Sequence, residues 1–206
     1  MPIIIIDCGT SNLRSVQKAL ESINIPAEIS RDPSAIKSAR GLILPGVGSF
    51  DHGIKFLRQN RLEEAILEEA GQGKFLLGIC LGMQLLFEES EEGKEKGLGI
   101  MKGKVKKFQL PKELKIPHMG WNRLLFNQKN ALLTDIEEGL QVYFVHSYYV
   151  APKDESTILT TTDYGINFAS SVCQENIFGT QFHPEKSGKT GLQILRNFAN
   201  IVHSKK

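Results

Sequence analysis

The chain has 206 residues, 41% of them hydrophobic and 23% charged, enough for one core of ordinary size. A formal net charge of +2 gives no electrostatic basis for a nucleic-acid partner. Three widely spaced cysteines, Cys8, Cys80 and Cys173, argue against a disulfide framework and for a reducing compartment. The apolar run before Asp7 is too short for a signal-peptide core, and no segment approaches the roughly 20 apolar residues of a bilayer span, so a soluble cytoplasmic protein is expected, without a membrane partner.

Ile3 to Ile6 is continuously apolar and β-branched, as in a strand covered on both faces. Leu13, Val16, Leu20 and Ile23 follow at helical spacing, with Ser11 or Asn12 as N-cap and Pro26 as the stop. Short strands are predicted over 27–30 and 41–44, the second closed by Pro45-Gly46-Val47-Gly48. A helix is predicted over 51–70, a strand over 75–79 and a further helix from Leu81 to Phe87. The charge-rich stretch from Glu88 to Lys96 reads as a solvated connection. Beyond it, 105–108, 122–126, 141–149, 156–162, 167–172 and 177–182 are shorter, alternating segments that read as antiparallel strands added to one side of the sheet. An amphipathic helix over 188–203 closes the chain. The expected fold is α/β: a mostly parallel central sheet flanked by helices, with antiparallel strands added in the C-terminal half, all in one domain over 1–206.

Chemistry concentrates where predicted strands end. Gly78-Ile79-Cys80-Leu81-Gly82 lies between a strand and a helix and has the form of a nucleophile elbow with Cys in place of Ser. Such an elbow exposes the sulfur at a helix N-terminus, where the dipole favours a thiolate, and aims the Leu81 N–H at a developing oxyanion. A buried cysteine flanked by glycines by chance is the plain alternative. His183-Pro184-Glu185 follows the last strand; in an extended segment residues two apart share a side, so Glu185 can orient His183. A surface histidine in a turn is the alternative for that motif alone, and an ordinary tight turn for Pro45 to Gly48. Strand ends of a parallel sheet converge, which favours the functional reading: Cys80 as nucleophile, His183 as base and Glu185 as the group that orients it. Ser187-Gly188-Lys189-Thr190 ends like a phosphate-binding loop but lacks its first glycine, and Gly97-Leu98-Gly99 lacks a third. The histidines and cysteines show no metal-ligand spacing, and no cofactor is expected.

With Gly78-Ile79-Cys80-Leu81-Gly82-Met83-Gln84 and His183-Pro184-Glu185, the chain resembles the class I (triad) glutamine amidotransferases over its full length. Pro45-Gly46-Val47-Gly48-Ser49-Phe50, Pro117-His118-Met119-Gly120-Trp121-Asn122 and Tyr143-Phe144-Val145-His146-Ser147-Tyr148 resemble the branch that serves imidazole glycerol phosphate synthesis in histidine biosynthesis. The resemblance implies a glutamine pocket lined by Gly46, Gly48, Gln84, Ser147 and Tyr148, and an oxyanion hole made by the N–H groups of Val47 and Leu81. It implies Asn12, His118, Trp121, Tyr143 and Lys186 on the side of a partner, a (β/α)8-barrel cyclase subunit that receives ammonia. It also places Tyr and Gly where this chain has Cys8 and Ser11. The rival readings are a glutaminase for anthranilate or pyridoxal phosphate synthesis, a thiol peptidase or esterase on the same elbow, and a non-catalytic binding module.

Overall fold

The computed structural model describes residues 1–9 and 12–204. The continuous apolar runs form the centre of an eight-stranded sheet. Strands β1 (Ile3–Ile6), β2 (Ala27–Ser30), β3 (Gly41–Gly46) and β4 (Leu76–Cys80) run parallel in the order β2-β1-β3-β4. Because successive strand residues face opposite ways, Ile4, Ile6, Leu42 and Leu44 enter one core, while Ile3, Ile5 and Ile43 enter the other. Helices cover both faces. α1 (Leu13–Ser22) and the C-terminal helix α6 (Gly188–Ser204) bury Val16, Leu20, Leu195 and Phe198 on one side. On the other, α2 (Pro33–Ser38), α3 (Phe50–Gln59), α4 (Leu62–Gly71) and α5 (Leu81–Leu85) bury Ile36, Ile54, Ile66 and Leu85.

Several boundaries depart from the sequence reading. The segment 51–70 is two helices, broken at Arg61, whose φ of 57° is left-handed. Asn12 stands at the N-cap of α1 but with φ 86° and no capping hydrogen bond from its side chain; Ser11, the other candidate cap, lies outside the described residues. The C-terminal strands do not all join one side of the sheet. Of these, β6 (Gly103–Lys107) and β10 (Tyr148–Pro152) make a small sheet with β5 (Glu89–Ser90), a strand inside the stretch read as a connection, and β7 (His118–Arg123) pairs with β9 (Gln141–His146) in another. β8 (Leu125–Phe126), β11 (Ile158–Asp163) and β12 (Asn167–Gln174) extend the main sheet antiparallel. β13 (Ile177–Thr180) was read as antiparallel to the core but lies parallel to β4. That pairing matters most, since it brings the carboxyl ends of β3, β4 and β13 to one edge. Among the described residues no helix is long and apolar enough to cross a membrane.

Candidate active site

Register alone assembles the site. Gly46 is paired with Cys80 across β3 and β4, and Ile79 with Thr180 across β4 and β13. The chain therefore leaves the sheet at Val47, at Leu81 and toward His183 from three neighbouring strands along one rim, as open α/β sheets do where they bind ligands. Cys80 itself is strained, with φ 54° and ψ −109°. The glycines around it are required by close approach. A Cβ on Gly82 would stand 1.7 Å from the Leu44 carbonyl oxygen, and one on Gly78 would stand 2.7 Å from the Met83 nitrogen. Gly82→Ala must therefore push α5 off the sheet. We expect it to cost at least about 3 kcal/mol, lowering the melting temperature by roughly 6–12 °C; a variant melting with the parent would show that the elbow tolerates a side chain.

His183 is 1% exposed. Its backbone N–H donates to the Tyr143 carbonyl at 2.9 Å, and the Ser187 hydroxyl donates to the His183 carbonyl at 2.6 Å, so β9 and the start of α6 pin it. Its ring Nδ1 lies 2.8 Å from Glu185 Oε1, and that carboxylate side chain is 0% exposed. The two meet through a 3-10 turn over Pro184–Lys186, not through the extended segment read from the sequence; proline suits the first position of such a turn, where its missing N–H is not needed. Glu185 Oε1 also accepts from the Asn12 side chain. The other ring nitrogen, Nε2, is buried and makes no hydrogen bond among the described residues. Burial lowers the pKa of His183, but hydrogen bonding and charge from Cys80 and Glu185 outweigh it and raise the group to about 10. A histidine flanked in this way has the surroundings that a proton carrier needs.

In front of the sulfur lies a cleft of about 390 Å³, lined by Val47, Gly48, Cys80, Leu81, Gln84, Glu92, Pro117, Val145, His146, Ser147 and Tyr148. Both expected oxyanion donors, Val47 and Leu81, border it, with Gly48, Gln84, Ser147 and Tyr148 from the expected pocket. Gly46 does not: it is buried in β3, where a Cβ would touch Leu81 at 3.2 Å, so it is a spacer behind the elbow. Glu92 was lost to the sequence reading inside a run of solvated charges. It borders the cleft while accepting the Phe50 N–H at the start of α3 at 2.7 Å. Burial and then the charges of Glu92 and Glu91 push the Tyr148 phenol up, so it stays neutral.

The expected partner face divides by strand parity. On β7 the residues alternate, so Met119 and Trp121 face out, 62% and 53% exposed, while His118 faces in at 2%. Trp121 packs edge-on against Tyr143 at 6.1 Å, and Lys186 Nζ lies 6.0 Å from the same ring. Three of the five expected residues thus share one surface. Asn12 is turned to Glu185, and His118 is an interior residue, because it and Trp121 are an odd number of positions apart on one strand.

Inside, His118 and His146 form a directed chain. His146 Nδ1 is 2.8 Å from the Tyr148 carbonyl oxygen, which can only accept, so His146 Nε2 must accept from His118 Nδ1 at 3.0 Å. Burial lowers His118 to about 4 and His146 to about 3. Both rings are therefore neutral at working pH. Their stabilising contribution is present above pH 6.5, the unfolded value, and is lost as pH falls toward 4 and 3. His183 has the opposite sign: its contribution is full below 6.5 and is lost as pH rises toward 10. Stability should peak near neutrality. From pH 7 to pH 5, each buried neutral ring taken alone costs about 2 kcal/mol. Urea titrations should show the wild type losing more over that interval than His146→Gln; parallel losses would contradict this assignment of charge states.

The sequence model of the class I glutamine amidotransferase family matches residues 4–202. The chain is 50% identical over 202 residues to the imidazole glycerol phosphate synthase subunit HisH of Moorella thermoacetica, covering 98% of this chain and 95% of that protein. It is 47% identical over 207 residues to that of Bacillus subtilis, covering 98% and 97%, and 50% identical over 200 residues to that of Aquifex aeolicus, covering 96% of each. Among solved structures, a glutamine amidotransferase superposes with a TM-score of 0.77 at 19% identity, over 97% of this chain and 98% of that one. PurLQS from Thermotoga maritima superposes with 0.76 at 20% identity, over 98% and 99%, a likeness of fold. With the elbow, the buried histidine and its carboxylate on one rim of a parallel sheet, the chain belongs to the class I glutamine amidotransferases, in the branch of the HisH subunits of imidazole glycerol phosphate synthase.

Proposed function

We propose that this chain, acting as a single domain, is the glutaminase subunit of an imidazole glycerol phosphate synthase and that Cys80, His183 and Glu185 carry its chemistry. The observation that supports the reading most is the buried imidazole of His183, held by Glu185 on one side and acted on by Cys80 on the other. The Cys80 thiolate attacks the side-chain amide carbon of glutamine, and the N–H groups of Val47 and Leu81 hold the oxyanion. His183 gives its proton to the departing nitrogen, ammonia leaves, and a γ-glutamyl thioester remains. Water, losing its proton to His183, cleaves the thioester; glutamate departs and the thiolate returns. Gly48, Gln84, Ser147 and Tyr148 shape the pocket, and Glu92 offers a carboxylate to the ammonium end of the amino acid. Lys186, Tyr143 and Trp121, with Met119, form the surface for a (β/α)8-barrel cyclase subunit, which receives the ammonia and makes imidazole glycerol phosphate and an aminoimidazole carboxamide ribotide. Asn12 lies beside Glu185 at the edge of that surface. The setting is cytoplasmic.

A glutaminase that ran unchecked would waste glutamine. The isolated chain should therefore be nearly inactive, with the Pro45–Gly48 loop rearranging when the partner binds its nucleotide. The test is glutamate release by the chain alone and with a co-purified cyclase subunit and that nucleotide. Stimulation on the order of 100-fold is expected. Equal turnover by the lone chain would remove the gating, and no cyclase in the complex would remove the assignment.

A further inference from the structure

Gln181 lies between β13 and His183 and is 0% exposed. Its backbone N–H donates to the Ser170 carbonyl at 2.9 Å, but its side chain turns to the elbow. A glutamine amide has one donating end and one accepting end, and which end meets the sulfur decides its effect. The neighbours settle this. The Tyr148 carbonyl can only accept, so the Gln84 atom 3.1 Å from it is the donor Nε2. That same Nε2 lies 3.1 Å from Gln181, which must present Oε1 there. The other end of Gln181 is then Nε2, at 3.6 Å from Cys80 Sγ.

We infer that Gln181 is a further catalytic residue: its side-chain amide donates a hydrogen bond to the Cys80 sulfur and holds it as the thiolate, with Gln84 fixing the amide in the donating orientation. This rests on Cys80 being the nucleophile. The imidazolium of His183 also favours the thiolate, but it surrenders its proton to the leaving nitrogen. When the thioester later breaks, the returning thiolate meets an amide donor that no proton transfer has changed. A neutral donor that is itself fully buried gains strength from the low dielectric around it.

The test is the pH dependence of Cys80 alkylation by iodoacetamide, followed on the Cys80 peptide by mass spectrometry in the full-length chain. Gln181→Glu replaces the donor with an acceptor of the same shape, and Gln181→Met removes it. Both should move the midpoint up, by about one pH unit for the first, so that alkylation at pH values below the wild-type midpoint slows about tenfold. Gln84→Leu should move it the same way by less, since it only frees the amide to turn. A new carboxylate raises the midpoint by its charge alone, so the neutral variants decide: a merely packed glutamine would leave Gln181→Met and Gln84→Leu at the wild-type midpoint, and that result overturns the proposal. One measurement needs no variant: the Gln181 side-chain amide proton in the wild-type NMR spectrum should shift with the same midpoint as alkylation. If it does not move through the titration, the proposal fails even where variants misfold. Glutamate release by wild type and Cys80→Ala tests the underlying glutaminase reading separately, because alkylation reports on the sulfur whatever the substrate.

Discussion

Replacing Cys80 with alanine should abolish glutamate release, by about 10⁴-fold or more, while leaving the complex able to use added ammonium salt. The loss corresponds to roughly 5 kcal/mol of transition-state stabilisation. Among the described residues no other thiol borders the cleft. The other two cysteines are remote in role: Cys8 is buried and its thiol donates to the Pro45 carbonyl at 3.0 Å, and burial pushes the Cys173 thiol up. The oxyanion donors and the pocket would remain, but a pocket without a nucleophile has only water to offer. Survival of the ammonium-dependent reaction follows from the division of labour, since the second chemistry belongs to the partner. The Cys80→Ala chain should also fold normally. Alanine keeps the Cβ of the elbow, and the neighbours of the sulfur, Gln181 and His183, stay held by their own backbone hydrogen bonds to Ser170 and Tyr143. If the purified variant released glutamate at the parent rate, the nucleophile would have to be sought elsewhere.

The parts of the molecule legible in the sequence are those where one residue type has one physical use. Continuous Ile and Leu runs can only be strands covered on both faces, and these gave β1, β3 and β4 with their helices. Two small residues around a cysteine at a strand end, and a histidine two positions before a glutamate at another, marked the site. Pattern says nothing, however, about which strand pairs with which. The alternating segments after residue 100 were assigned to one sheet and occupy three. Arg61 breaks a helix by adopting a conformation that its side chain does not advertise. α2 is a single short helix of six residues, below the length at which periodicity speaks. Glu92 looks like its acidic neighbours until the fold turns it toward the cleft. Gln181 sits within the run Ile177 to Phe182, read as a strand, and its role depends on Gln84 and Tyr148, each more than thirty positions away. The resemblance implied His118 on the partner side, but it stands three positions before the exposed Trp121 on one strand, and the two-residue period turns it inward.

His183 and Glu185 should separate in both size and kind of effect. His183→Ala removes the proton carrier and the positive partner of the sulfur, and about 10³–10⁴-fold of kcat/KM should go with it. Glu185→Ala leaves the imidazole in place, still bound through its backbone to Tyr143 and Ser187, and should cost about tenfold to a hundredfold less than losing the ring. The kind of effect follows from the sign of the charges. Glu185 is one of the two groups that raise His183 to about 10, so removing it must lower that value. Since His183 has to be protonated to release ammonia, the alkaline limb of the pH–rate profile must move toward acid in Glu185→Ala. Asn12, whose side chain donates to the same carboxylate oxygen, steers Glu185 from behind and should change rates less than either. An alkaline limb that stayed in place, with only the maximal rate reduced, would mean that Glu185 acts on the fold of the turn and not on the proton of His183.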